Sequence, residues 1–196
     1  MPISYLMNKP WTSWSREERL FCAVLYEHGR RDAAAFAHWL IDAAGLDLSP
    51  AGEWDLGYEV CLYRDFLWQK DGPSAANSAL PFKRTFDLCL FGERAAVVIE
   101  AKVCQRFDSA QNADFERDSE RIRTLEGWQD LDVRLIALAS TRYYANVPKH
   151  SPAALRIFDG QVSWLQAAQR YDDPLLWQAD SMYKAKPGAL LADDPA

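Results

Sequence analysis

The sequence has little histidine and no paired cysteine motif. Its three histidines have no ligand spacing and no evident partner, so a histidine-based metal site or catalytic triad is not predicted. Its four cysteines are widely spaced, form no C-x-x-C pair and lie in apolar segments, where a free thiol behaves as a small hydrophobic group. This cysteine usage is typical of a reducing compartment, and we expect a cytoplasmic protein.

Long apolar runs, a targeting segment and an excess of basic residues are also absent. No run of apolar residues is long enough to cross a membrane, and MPISYLMNKPWTSW at the N-terminus lacks a basic segment followed by an apolar one. The 22 Lys and Arg against 28 Asp and Glu give a net charge of −6. This balance argues against broad coating by nucleic acid or a membrane, although it does not exclude a local basic surface.

The composition is that of a folded protein. Hydrophobic residues make up 49% of the 196 positions and aromatic residues 13%, which is enough to bury one sizeable core. We expect residues 1–185 to form a single domain whose core lies between residues 15 and 140. A flexible tail is expected over residues 186–196.

Two amphipathic helices are predicted near the N-terminus. In SREERLFCAVLYEHG, residues 15–29, apolar residues recur at helical spacing, and Ser15 and Glu18 have the spacing of a capping box. A second helix is predicted to follow Asp32 and to end at Gly45, because glycine readily adopts the left-handed conformation that terminates helices.

The middle of the chain has the alternating, β-branched and aromatic pattern of strands. Residues 54–68 are predicted to form one strand. TFDLCLF (85–91) and AAVVIEAKV (95–103) are predicted to form two more, joined by a connection so short that it requires an antiparallel hairpin. A helix is predicted over residues 112–127 and a strand buried on both faces over residues 133–140.

Helices are the predicted elements of the C-terminal part, over residues 161–171 and 173–183. The predicted order is therefore helix, three strands, helix and strand, followed by C-terminal helices. This order indicates an α/β fold with a mixed sheet flanked by helices.

Three charged residues interrupt the apolar strands. Residues two apart on a strand share a face, so Glu100 and Lys102 are predicted to point the same way as Val98. The opposite face carries only apolar residues: Val97, Ile99, Ala101 and Val103. The tight hairpin brings Asp87 near Glu100, and two carboxylates held close in a dry sheet repel each other unless a cation lies between them. Such oxygen ligands suit Mg²⁺ or Mn²⁺.

A structural alternative explains the same three residues without a metal. Glu100 and Lys102 could form an ordinary ion pair on a half-exposed face, with Asp87 at a sheet edge.

The residues also carry a resemblance to a known family. Asp87, followed by Glu100-Ala101-Lys102 at the end of an apolar strand, resembles the PD-(D/E)XK nuclease superfamily in its motif and in its order of elements. The resemblance covers residues 15 to 140 and departs from the family pattern in one respect, because Thr85-Phe86 precedes the aspartate where the family name has a proline. It implies a restriction endonuclease-like core of three layers.

The resemblance implies a metal-dependent deoxyribonuclease with DNA as its partner. Asp87, Glu100 and the main-chain carbonyl of Ala101 would ligate Mg²⁺ or Mn²⁺. Lys102 would orient or deprotonate the attacking water and stabilise the charge that develops on the phosphate. A homodimer is left open. The competing hypothesis is a nuclease-like module that binds nucleic acid or protein without turnover, which the acidic net charge favours.

Many family members add a carboxylate from the first helix. Glu17 and Glu18 are the candidates, and a helical wheel places Glu17 in the middle of the apolar face, whereas Glu18 closes the capping box. We therefore predict Glu17 as the accessory catalytic residue. Glu59, on the first strand, is a further candidate or else a solvent-facing residue.

Candidate nucleic-acid contacts flank the predicted site in the sequence. They are Lys83, Arg84, Arg106 and Gln111. Gln111 and Phe115 resemble a glutamine and a tyrosine that lie four residues apart in the exonuclease branch of the family, although Phe115 lacks the tyrosine hydroxyl. The structural alternative is a polar residue at a helix start and a core aromatic ring.

Overall fold

The chain folds around a mixed sheet of five strands. The computed structural model describes residues 12, 17–71, 80–107, 109–150 and 152–184. The strands are β1 (Trp54–Val60), β2 (Phe86–Gly92), β3 (Ala95–Ala101), β4 (Asp132–Ala139) and β5 (Gly160–Ser163), and they lie in this order across the sheet. The β1–β2 and β2–β3 pairs are antiparallel, whereas β3–β4 and β4–β5 are parallel.

Seven α-helices accompany the sheet within the described residues. They are α1 (Glu18–Gly29), α2 (Ala33–Ala44), α3 (Leu62–Asp71), α4 (Ser109–Ile122), α5 (Thr141–His150), α6 (Trp164–Tyr171) and α7 (Pro174–Ser181), with a 3₁₀ turn over Pro152–Leu155. None of the helices that the structure describes is long and apolar enough to cross a membrane. The prediction of an α/β fold with a mixed sheet flanked by helices is confirmed.

Each face of the sheet packs against its own hydrophobic core. The first core joins alternate residues of β3, among them Val97 and Ile99, to side chains of α1, α2, α6 and α7. The second core joins Val98 on the opposite face to Tyr63 of α3, Phe115 of α4 and side chains of α5. Burial on both faces explains why β3 and β4 are almost uniformly apolar.

The helix over 33–44 and the central hairpin are confirmed. Asp32 caps α2 by accepting a hydrogen bond from the Ala35 amide, and Gly45 ends this helix at a φ of 65°. β2 and β3 pair as an antiparallel hairpin, as the short connection required.

The prediction of one strand over residues 54–68 was wrong. The strand ends at Val60, and α3 begins at Leu62. Leu62, Tyr63, Phe66 and Leu67 have helical spacing. In this conformation Leu62, Tyr63 and Phe66 pack into or against the second core, and Leu67 is buried. The helix that was predicted over residues 161–171 likewise begins only at Trp164, because residues 160–163 add β5 to the sheet beside β4.

The predicted capping box of α1 was also wrong. The helix begins at Glu18, and Glu17 takes the cap position without a capping hydrogen bond from its side chain. Ser15, the tail over residues 186–196 and most of the loop before β2 lie outside the described residues.

The packing of β5 against α2 yields a prediction about Gly160. A Cβ atom at this position would lie 2.7 Å from the Ala44 carbonyl oxygen and 2.8 Å from the Ala44 Cβ. Ala44 is the last residue of α2. We expect Gly160→Ala to lower the free energy of unfolding by about 1–3 kcal/mol, measured by urea denaturation. The neighbouring exposed residue provides the control, since Gln161→Ala should change the stability by less than about 0.5 kcal/mol. Equal stability of the two variants would contradict the close approach.

Candidate active site

The predicted strand charges meet at the open end of the β2–β3 hairpin. Asp87 lies on β2, one residue beyond the Leu88–Ile99 pair of the ladder, and Glu100 lies one residue beyond this pair on β3. The Asp87 carboxylate accepts a hydrogen bond of 2.8 Å from the Ala101 amide. This bond crosses from one strand to the other and holds the aspartate beside the end of β3.

Lys102 folds back along β3 onto Glu100. Its Nζ atom donates to Glu100 Oε1 at 2.6 Å and to the Ala101 carbonyl oxygen at 2.9 Å. The prediction that Glu100 and Lys102 share a face is therefore confirmed. Glu100 is 5% exposed and Lys102 6%, so the ion pair is buried rather than half-exposed. An ordinary surface pair does not describe it.

Burial raises the pKa values of both carboxylates. Burial raises the pKa of Glu100, and the charge of Asp87 raises it further, to about 7, despite the opposing effect of Lys102. Burial also raises the pKa of Asp87, although the Ala101 amide and Lys102 act against this. A second positive charge near the pair would favour the ionised form of both groups.

Lys102 remains a cation in this environment. Burial alone would lower its pKa, but the charges of Glu100 and Glu18 outweigh this effect and raise its pKa above the ordinary value. The backbone of Lys102 is fixed as well, because its amide donates to the Leu138 carbonyl at 2.8 Å and its carbonyl accepts from Trp164 Nε1 at 3.0 Å.

Glu18, rather than Glu17, contacts the lysine. Its Oε1 atom lies 3.7 Å from Lys102 Nζ, and its Oε2 atom accepts a hydrogen bond of 3.0 Å from the Val103 amide. Glu17 precedes the first turn of α1 and is exposed, so its predicted place in the middle of the apolar face is wrong. The helical wheel placed Glu17 on the apolar face because the predicted helix began before Glu17, whereas α1 begins at Glu18. A catalytic role of Glu17 stays a prediction.

These side chains line one cleft. It has a volume of about 660 Å³ and is lined by Glu17, Glu18, Arg19, Glu59, Arg84, Thr85, Asp87, Glu100, Lys102, Cys104 and Gln105. The strands supply its floor, and the start of α1 supplies one wall. Five carboxylates and three cations therefore border the same space.

Arg84, predicted to contact nucleic acid, is tied to a buried network. Its Nε atom donates to Asp118 Oδ2 at 2.8 Å, and its guanidinium lies over the ring of Phe115 at 4.2 Å. Asp118 also accepts a hydrogen bond of 2.8 Å from the Tyr63 hydroxyl. No local sequence pattern indicates this network, because its members come from three distant segments. Phe115 is a core residue, as its structural alternative proposed.

The other predicted nucleic-acid contacts are Lys83, Arg106 and Gln111. Lys83 is exposed, and Arg106 donates to the Tyr183 hydroxyl at 3.1 Å. Gln111 lies in the first turn of α4, but its side chain is outside the described part of the structure. Of Lys83, Arg84 and Arg106, whose side chains the structure describes, only Arg84 lines the cleft. Their contact with nucleic acid stays a prediction.

The oxygen donors of the cleft fit a hard divalent cation. Within the described residues, no group of three or more His, Cys, Asp or Glu side chains is arranged to hold a metal ion. Mg²⁺, however, is commonly held by one or two carboxylates and completes its shell with water or phosphate oxygens. Asp87, Glu100 and the Ala101 carbonyl are donors of this kind.

Comparisons of the chain with protein-family models, curated proteins and solved structures find no match.

The raised pKa of Glu100 predicts how stability depends on pH. Because its pKa in the folded protein, about 7, exceeds the ordinary value of 4.5, the folded state binds the proton more tightly. The resulting stability is complete below pH 4.5 and is lost as the pH rises through 7. In EDTA, we expect the titration of Glu100 to contribute a fall of about 3 kcal/mol to the free energy of unfolding between pH 5 and pH 8.

Thermal and urea denaturation of Glu100→Gln check this prediction, because the amide does not titrate. Its stability should vary much less over the same pH range. Glu93→Gln, an exposed change at the turn of the same hairpin, should keep the pH dependence of the unaltered protein. An equal pH dependence in Glu100→Gln would show that another group causes it.

Proposed function

We propose that the protein is a metal-dependent deoxyribonuclease that hydrolyses phosphodiester bonds in the cleft at the open end of β2 and β3. The observation that carries this proposal is the meeting of the half-buried Asp87 with the buried Glu100 and Lys102. A fold gains nothing in stability from placing two like charges together in its interior. Their cost is understandable if they bind a cation in the working protein.

Asp87, Glu100 and the Ala101 carbonyl would hold the metal in this proposal. When bound, Mg²⁺ or Mn²⁺ supplies positive charge that polarises a phosphodiester and lowers the pKa of a water molecule. The carboxylates in turn contribute two negative charges that are already fixed in position by the Ala101 amide and by Lys102. Such fixed groups need no reorganisation during the reaction.

Lys102 acts as a hydrogen-bond donor in this account. Because its pKa is raised, its side chain is an ammonium at neutral pH and cannot remove a proton from water. It can orient the attacking water and stabilise negative charge on a phosphoryl oxygen. Glu18 Oε1, which lies 3.7 Å from this ammonium, would help to position it.

The arrangement of elements supports the finer assignment to a restriction endonuclease-like fold. After α1, the chain forms β1, β2 and β3, each antiparallel to the next. It then forms α4 and β4, and β4 lies parallel to β3. This is the order that the resemblance to PD-(D/E)XK nucleases implies, with α2 and α3 as additional helices. The proposed site lies where the motif of that family would place it, on the second and third strands.

Removal of either carboxylate should abolish cleavage. We expect Asp87→Asn and Glu100→Gln to lower the rate at least about a hundredfold, because each removes a charged ligand of the metal. The assay uses supercoiled, linear and single-stranded DNA with Mg²⁺ or Mn²⁺, and EDTA should stop the reaction of the unaltered protein. Glu93→Gln should remain fully active. DNA binding without any cleavage by the unaltered protein would instead favour a module that has no turnover.

The accessory carboxylate can be assigned by two neighbouring variants. Glu18→Gln should lower the cleavage rate about tenfold or more, because the charge that positions Lys102 is lost. Glu17→Gln should have a smaller effect, since Glu17 is exposed at the rim of the cleft. Both rates are compared at equal concentrations of folded protein. A larger loss in Glu17→Gln would return the accessory role to Glu17.

A further inference from the structure

The last residues of β1 adopt an unusual backbone conformation at Glu59. Its φ of 52° lies in the left-handed region, which residues other than glycine, asparagine and aspartate rarely adopt. The ladder pairs Tyr58 with Leu88 and Val60 with Phe86, so Glu59 stands between two regular pairs, across from Asp87. Such strained residues persist where the surrounding structure fixes them, and they cluster at functional sites.

The strained residue directs its carboxylate to Arg19 of α1. Glu59 Oε2 lies 3.3 Å from Arg19 Nε, and both residues line the cleft. The neighbouring Tyr58 hydroxyl donates to the Arg19 main-chain carbonyl at 3.0 Å. The end of β1 therefore holds Arg19 through both its side chain and its backbone. The ion pair itself is too exposed to repay the strain, because such pairs contribute little to stability.

Arg19 differs from the other two cations of the cleft. Lys102 and Arg84 are both paired with buried carboxylates. The Arg19 side chain is 72% exposed, so a ligand in the cleft can reach its guanidinium from solvent. Its charge also extends to the proposed metal ligands, since it lowers the pKa of Asp87 against the larger, raising effect of burial.

We infer that Arg19 binds a phosphate group of the substrate at the rim of the cleft and that Glu59 positions its guanidinium for this contact. The planar guanidinium can donate two parallel hydrogen bonds to phosphate oxygens, which a lysine cannot do. The inference rests on the proposed nuclease function and adds to it a residue that binds substrate outside the metal site. It also gives the strain at Glu59 a purpose.

Steady-state cleavage of a labelled DNA duplex by the full-length chain tests this inference. We expect Arg19→Gln to raise KM about tenfold, the loss of one charged hydrogen-bonded contact, while kcat changes little, because the contact is made equally in the ground and transition states. The slope of log(kcat/KM) against log[KCl] should become shallower by about 0.9, the effect of one phosphate contact on duplex DNA. Arg19→Lys should keep the steeper slope and restore part of the affinity.

Arg30→Gln is the matched control, because Arg30 also borders α1 and forms an exposed ion pair, with Glu27 at 2.9 Å. It should leave KM, kcat and the salt slope unchanged. Glu59→Gly should raise Tm by relieving the left-handed strain and yet raise KM, since Arg19 loses its tether. A role in folding alone would move Tm without changing the salt slope.

The outcomes separate this inference from the function on which it rests. If the unaltered protein cleaves DNA and Arg19→Gln retains its KM and salt slope, the inference is wrong and the proposed function stands. If the unaltered protein cleaves no DNA with Mg²⁺ or Mn²⁺, both fail together.

Discussion

Two carboxylates and one ammonium share the buried end of a β-hairpin, and the rest of the structure is arranged around this constraint. Asp87 is held by the Ala101 amide, and Glu100 is held by Lys102 at 2.6 Å. Burial raises the pKa values of both carboxylates, and the charge of Asp87 raises that of Glu100 further, because a single ammonium does not compensate for both. Buried groups of this kind are costly in a protein that uses them only for structure.

The surrounding elements fix this cluster from several directions. The Leu138 carbonyl of β4 accepts a hydrogen bond from the Lys102 amide. The indole of Trp164, which is fully buried, donates a hydrogen bond to the Lys102 carbonyl. The start of α1 adds Glu18 to the cluster and Arg19 to its rim. The C-terminal segment therefore contributes to the site, although none of residues 160–184 lines the cleft. Its helices complete the core that keeps the backbone of Lys102 in place.

The central part of the site could be predicted from the sequence because it depends on local geometry. Alternation along a strand places Glu100 and Lys102 on one face whatever the rest of the fold, and a short connection forces Asp87 into the adjacent strand. Each of these relations is confirmed. The alternating pattern also assigned Val97 and Val98 to opposite faces, where the two cores now lie.

The remaining features depend chiefly on tertiary contacts, although the apolar residues of α3 do recur at helical spacing. The strand ends at Val60 because the residues after it pack on the second core as α3. Residues 160–163 form β5 because they pair with β4. The start of α1 at Glu18 decides which of two adjacent glutamates reaches Lys102, and a shift of one residue reverses that answer. The left-handed conformation of Glu59 runs against its own preference, so sequence propensities could not indicate it.

The nuclease proposal requires a cation at the carboxylate pair, and this requirement can be observed directly. Crystals of the protein grown with Mn²⁺ and measured near the manganese absorption edge would show the position of the ion by its anomalous scattering. We predict a peak in contact with Asp87, Glu100 and the Ala101 carbonyl. A peak elsewhere in the molecule, or none at this pair at a Mn²⁺ concentration that supports DNA cleavage, would contradict it.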